Sequence, residues 1–211
     1  VTAEAERLRA TVARAPWFSR ATLDPASLRP LDELRAGPTT VTWATVEGAR
    51  DRTAVLVLAE DDAALLAAAL ALTARPAWTT AQGGTVRWHG PPLTDARPGP
   101  QLTATATNAV ARVTAGRPPA EEDLVLKVYR VLGDGRGEVA LLGRLGGRAA
   151  PLPEAVGHLE YVAPGGRPRG CLALLTRTAP GVPLDVPLRA ALHAHWSADP
   201  ADRRRPAPVD P

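Results

Sequence analysis

Lysine is nearly missing from this chain of 211 residues: of 25 lysines and arginines, only Lys127 is a lysine. Cysteine occurs once, at Cys171, which excludes an intramolecular disulfide; its apolar surroundings, Leu172 to Leu175, point to a buried, inert thiol. Methionine is absent even at position 1, so the expectation is a processed or excerpted chain. Aromatic residues make up 4%, leaving Ala, Leu and Val to build the core. The longest apolar run, residues 63–74, falls short of the ~20 that a membrane-spanning helix needs, and no signal-type segment opens the chain. The charge of +3 is only mildly basic. The one dense cluster, Arg203-Arg204-Arg205, has no interleaved aromatics for stacking on bases. A soluble, cytoplasmic protein is expected, with neither nucleic acid nor membrane as partner.

Hydrophobic residues make up 45% of the chain, ordinary for a globular protein. The 18 glycines and 22 prolines cluster between periodic segments, which reads as many tight connections. Leu8 and Val12 predict an amphipathic helix over 3–13, ended by Pro16, with Trp17-Phe18 as an anchor and Pro25 and Pro30 marking a bend. Strands are predicted over 39–46 and 53–59, joined as a hairpin. Asp61 and Asp62 then open an Ala/Leu helix over 63–74; carboxylates there are explained by capping and the helix dipole, with no need of a metal. Gly83-Gly84 introduces a strand over 85–89, and the stretch 90–100, rich in proline, is read as a linker between two halves.

The second half predicts strands over 102–107, 109–114 and 123–132, a turn at 133–135, a helix over 136–145, and strands over 157–163 and 171–178. A helix over 184–196 and an unstructured Pro/Arg-rich tail follow. Strand, strand, strand, helix, strand, strand makes a small antiparallel sheet with one helix laid across it, an α+β fold.

Lys127 lies in the middle of the strand Leu124-Val125-Leu126-Lys127-Val128-Tyr129-Arg130, where alternation puts Val125, Lys127 and Tyr129 on one face. Glu138 follows eleven residues later, in the first turn of the next helix. By itself it is a solvated carboxylate favoured by the helix dipole. Together with a solitary strand lysine it matches the pair by which kinases hold the α- and β-phosphates of ATP. The ammonium serves as a mobile point charge, and the glutamate fixes its direction. Thr107-Asn108, in the turn between the first two strands, would then cover the nucleotide. This turn has no Gly-rich consensus, and an Asn there also suits tight-turn backbone geometry.

Thr107-Asn108, the run 124–130 and Glu138 opening a helix with Leu142 and Leu145 resemble the amino-terminal lobe of actinobacterial maltokinases, relatives of the aminoglycoside-phosphotransferase-like kinases. The run 171–178 followed by Ala179-Pro180-Gly181 is similar to that family's last lobe strand and its passage to the hinge. Trp17-Phe18 and the elements up to His89 look like a divergent maltokinase cap domain, a curved antiparallel sheet with a helix against it. The Arg- and Ala-rich composition suits a high-GC actinobacterium. The resemblance implies a cap domain over 1–95, a five-stranded kinase-like lobe over 96–182, and a carboxy-terminal helix and tail over 183–211. It also implies nucleotide binding by Lys127, Glu138, Thr107 and Asn108.

The departures limit that implication. Such kinases draw a catalytic Asp from a His-Gly-Asp type loop, and metal ligands, from a second lobe. Here His89-Gly90 is followed by proline, and Asp199, Asp202 and Asp210 lie in the tail. His193 and His195, two apart on a helix, face different ways. The glycines before Glu138 also depart from the family pattern. No catalytic or metal-binding residue is assigned, and ATP and Mg²⁺ are expected only if the parent chain has a second lobe. The expected partners are that lobe or a protein covering the open half-cleft, and a sugar substrate in the parent enzyme. Two other readings stay open: a non-catalytic interaction or regulatory module in trehalose or glycogen metabolism, and a plain binding module with a cystatin-like sheet.

Overall fold

The computed structural model describes residues 3–14, 23–48, 52–105, 107–132, 136–145, 153–167 and 169–178. The elements are α1 (Ala3–Arg14), β1 (Leu23–Ala36), β2 (Thr39–Gly48), β3 (Arg52–Leu58), α2 (Asp62–Leu72), β4 (Ala77–Thr79) and β5 (Thr85–His89). The second half adds β6 (Arg97–Ala104), β7 (Asn108–Ala115), β8 (Glu122–Tyr129), α3 (Arg136–Leu145), β9 (Ala155–Val162) and β10 (Arg169–Arg177). The fold is α+β, with a three-stranded sheet β1-β2-β3 and a seven-stranded sheet β4-β5-β9-β10-β8-β7-β6, in which neighbouring strands pair antiparallel.

Both faces of the smaller sheet are covered. Leu8 and Val12 of α1 pack with Leu28, Ala44, Val46, Leu56 and Leu58 on one side. Val41, Trp43, Val55 and Val57 join the main core on the other, together with α2 and the inward residues of the larger sheet. Asp61 caps α2, its carboxylate accepting from the Ala64 amide at 2.7 Å, as its place before the helix predicts. The helix needs no polar stripe because it lies between two sheets: Leu65, Leu66, Ala68, Ala69, Leu70 and Leu72 are all buried.

Three sequence expectations change. The bend expected at Pro25 and Pro30 is instead a strand, β1. It is the outer strand of its sheet, and its register slips between Asp24 and Arg29 and between Pro30 and Asp32, which lets prolines with no N–H to donate be accommodated. The expected linker over 90–100 gives way at Arg97 to β6, an exposed edge strand that tolerates Pro98 and Pro100 for the same reason. The expected five-stranded lobe sheet is extended to seven, because β5 pairs with β9 and carries β4 at the new edge. The line between residues 95 and 96 therefore divides neither the sheet nor the core. The Trp17-Phe18 anchor, the turn at 133–135, the passage at 179–181 and the segment 183–211 with His193, His195 and Arg203 to Arg205 lie outside the described residues.

The β5–β9 pairing stacks His89 on His158, with centroids 4.5 Å apart and planes at 13°. Glu160, held bidentately by Arg169 at 2.5 and 2.9 Å, lies 3.5 Å from His89 Nε2. Burial, then the nearby His89, hold the His158 imidazole below its ordinary value of 6.5, against the opposite pull of Glu160. The unfolded chain therefore takes up this proton first. The contribution is intact above about pH 6.5 and is lost as the pH falls through the lower folded-state value. His158→Gln should flatten the fall in thermal midpoint between about pH 7 and pH 5. An unchanged slope would show that His158 does not carry the acid sensitivity.

Candidate functional site

The candidate site lies on the face of the large sheet opposite α2. Leu124, Leu126 and Val128 of β8 point into the core, and Val125, Lys127 and Tyr129 point the other way and remain half-buried. Neighbouring strands place Val110 of β7 and Leu174 of β10 beside Lys127, one on each side. Helix α3 packs over β9 and β10 and brings Glu138 to this face.

Lys127 Nζ lies 2.6 Å from Glu138 Oε2, so the spacing read from sequence does become a contact. The Tyr129 hydroxyl donates to the same oxygen, also at 2.6 Å, and the Lys127 ammonium sits 5.0 Å from the Tyr129 ring centroid. Partial burial pushes the Glu138 carboxyl up, but the hydrogen bonds from Lys127 and Tyr129 and the charge of Lys127 outweigh it and leave the carboxyl below its ordinary 4.5. Burial, followed by the bond to Glu138, pushes the Tyr129 phenol well above its usual range, so it stays a proton donor. The Lys127 side chain is 28% exposed.

Cys171, on β10, is no nucleophile. Its thiol donates to the Ala173 carbonyl at 3.4 Å, and burial pushes it up to about 12.

Thr107 and Asn108 lie where β6 turns into β7. The Thr105 hydroxyl accepts from both amides, at 3.4 and 3.1 Å, and the Thr105 amide donates to the Asn108 carbonyl at 2.8 Å. Thr107 is exposed, and Asn108 pairs across the ladder with Tyr129. The connection thus lies at the end of β7 and β8, two ladder steps from the lysine.

Two residues of this arrangement were not assigned from sequence. Tyr129 shares the lysine's face at a spacing of two, a signal that alternation already contained. Arg130 gave none: it is buried on the opposite face, and its partners are remote in sequence.

Asp61 and Asp62 are occupied structurally, Asp61 as the helix cap and Asp62 at 2.5 Å from Arg130 Nη2. Among the described residues no group of three or more His, Cys, Asp or Glu could hold a metal ion, and no helix is long and apolar enough to cross a membrane. Compared with protein-family models and with curated proteins, the chain matches none, so its function is argued from this geometry.

Proposed function

We propose that this chain is the nucleotide-holding part, cap and amino-terminal lobe, of a maltokinase-like, ATP-dependent sugar kinase. The carrying observation is the 2.6 Å pair between Lys127 on the third lobe strand and Glu138 on the helix after it. The chain order supports the same reading: β6, β7, β8, α3, β9 and β10 run strand, strand, strand, helix, strand, strand, and the five strands lie side by side in one antiparallel sheet.

In this reading the Lys127 ammonium holds the α- and β-phosphates, and Glu138, fixed by Tyr129, keeps it aimed. Val110 and Val125, both partly exposed, offer an apolar surface beside the lysine for the flat base, and Thr107 and Asn108 cover the phosphates. Magnesium would neutralise phosphate charge. Its ligands and the base for the sugar hydroxyl are assigned to a second lobe, because the 211 residues contain no His-Gly-Asp type loop. The residues described here bind and orient; no proton transfer is assigned to them.

Calorimetric titration with ATP and Mg²⁺ tests this reading. Lys127→Ala should lower affinity at least about tenfold, since a charged hydrogen bond contributes ~1.5–3 kcal/mol. Binding that is absent from the native chain, or unchanged in the variant, removes the nucleotide role.

A second reading is a non-catalytic interaction module in trehalose or glycogen metabolism, for which Leu141 on α3, 54% exposed, is the candidate contact. Light scattering separates the two readings: a concentration-dependent oligomer that Leu141→Ser dissolves supports the module, and a monomer at all concentrations counts against it.

A further inference from the structure

Arg130 is 1% exposed, directly after β8 and on the face away from Lys127. Its Nη1 donates to the carbonyls of Thr105 and, at 2.6 Å, Asn108, so one nitrogen grips both sides of the β6–β7 connection. Its Nη2 lies 2.5 Å from Oδ1 of Asp62, in the first turn of α2. Its backbone amide donates to the Thr107 carbonyl at 2.8 Å, and its own carbonyl accepts from Val57 of β3 at 2.8 Å. The other Asp62 oxygen accepts from the Gln101 side chain of β6 at 3.3 Å. One residue therefore joins the small sheet, the helix between the sheets and the connection above the candidate phosphate site.

A buried guanidinium is an expensive way to gain stability, since desolvation offsets most of the attraction between it and a carboxylate. Its forked, planar donors can reach several acceptors in fixed directions, which a lysine's ammonium on a flexible stem cannot reproduce. Beside the pair runs a cleft of about 1070 Å³, lined among others by Asp62, Gln101 and Arg130. A guanidinium released by Asp62 has room there to swing away from the two carbonyls.

We propose that Arg130 and Asp62 form a latch through which α2 fixes the position of the β6–β7 connection. Arg130 is thus a positioning residue; that the connection it positions covers nucleotide phosphates rests on the function proposed above. The amino-terminal layer then sets the geometry of the nucleotide site without touching the nucleotide.

The test uses Asp62→Asn, which removes one charge, keeps the side-chain shape and leaves the Asp61 cap in place, with Arg130→Lys as the second variant. Hydrogen exchange is followed by mass spectrometry over peptides covering 101–112, alongside titration with ATP and Mg²⁺. Both variants should accelerate exchange about tenfold at the connection and leave β9 and β10 protected, and ATP affinity should fall with it. Acceleration by Arg130→Lys, which keeps the positive charge, marks the fork and not the charge as the working feature. Unchanged exchange at the connection overturns the latch, and so does acceleration spread evenly across the seven-stranded sheet. Local acceleration in a protein whose native form binds no ATP upholds the latch and removes the nucleotide reading. Native binding with both variants indistinguishable from it does the reverse.

Discussion

Trp43→Ala is expected to destabilise the fold by ~3–5 kcal/mol, the range for losing a large buried aromatic. Trp43 is 0% exposed and stacks on Tyr161 of β9 with ring centroids 4.3 Å apart and planes 8° from parallel. The contact runs from the central strand of the small sheet to the large one, so the cavity left by alanine opens between the layers and not inside either. The two sheets share one core with α2, which predicts a single cooperative transition in the native protein. Chemical denaturation followed by tryptophan fluorescence and by far-ultraviolet dichroism measures both effects. Separate transitions in the native protein, or a loss below ~1 kcal/mol in the variant, would show that the layers are stable independently.

Asp32→Ala is expected to cost several kcal/mol, because a buried donor stripped of its acceptor costs ~1–3 kcal/mol and Asp32 serves more than one. This carboxylate is 3% exposed. It accepts from the Thr80 hydroxyl at 2.6 Å, the Tyr161 hydroxyl at 3.0 Å, the Gln82 amide at 3.0 Å and its neighbour's amide, Glu33, at 2.8 Å. It therefore pins β1 of the small sheet to the β4–β5 turn and to β9. The site admits no side chain at residue 84: a Cβ on Gly84 would stand 2.6 Å from Asp32 Oδ2 and 2.8 Å from Thr80 Oγ1. Tyr161→Phe removes one of the hydroxyl donors and should cost ~1 kcal/mol. Equal losses for the two variants would mean that Tyr161 carries the whole cluster. Either Trp43→Ala or Asp32→Ala loosens the layer on which α2 rests, so both should also increase exchange at the β6–β7 connection.

Legibility varied with the range of the interaction. The helices over 3–14 and 136–145 followed from apolar spacing, and the Asp61 cap followed from its place before an Ala/Leu run. The Lys127–Glu138 pair was also readable, because a strand residue and a glutamate in the first turn of the next helix, eleven residues on, can meet on one face of the sheet. Tyr129 was within reach by the same alternation. The strand β1 was hidden because its prolines carry the local signal of a bend. Only the pairing with β2 reveals that they sit in or beside register slips on the outer strand of the sheet. The short strand β4 carried too few residues for any periodicity.

The amino-acid sequence by itself determined most of the helical and extended segments, with β1, β4 and the start of β6 excepted, which face of β8 carries Lys127, and that its one lysine stands within reach of a helix-borne glutamate. These are properties of backbone geometry over a dozen residues, set by side-chain spacing. Only the tertiary structure decided that the two halves share a seven-stranded sheet and one core. It also decided that Asp62 serves Arg130, and that Arg130 grips the connection above the candidate site. Those facts depend on partners 22 to 129 residues apart, and burial, not local propensity, selects them: a buried charge or hydroxyl must find its partner wherever the chain places one.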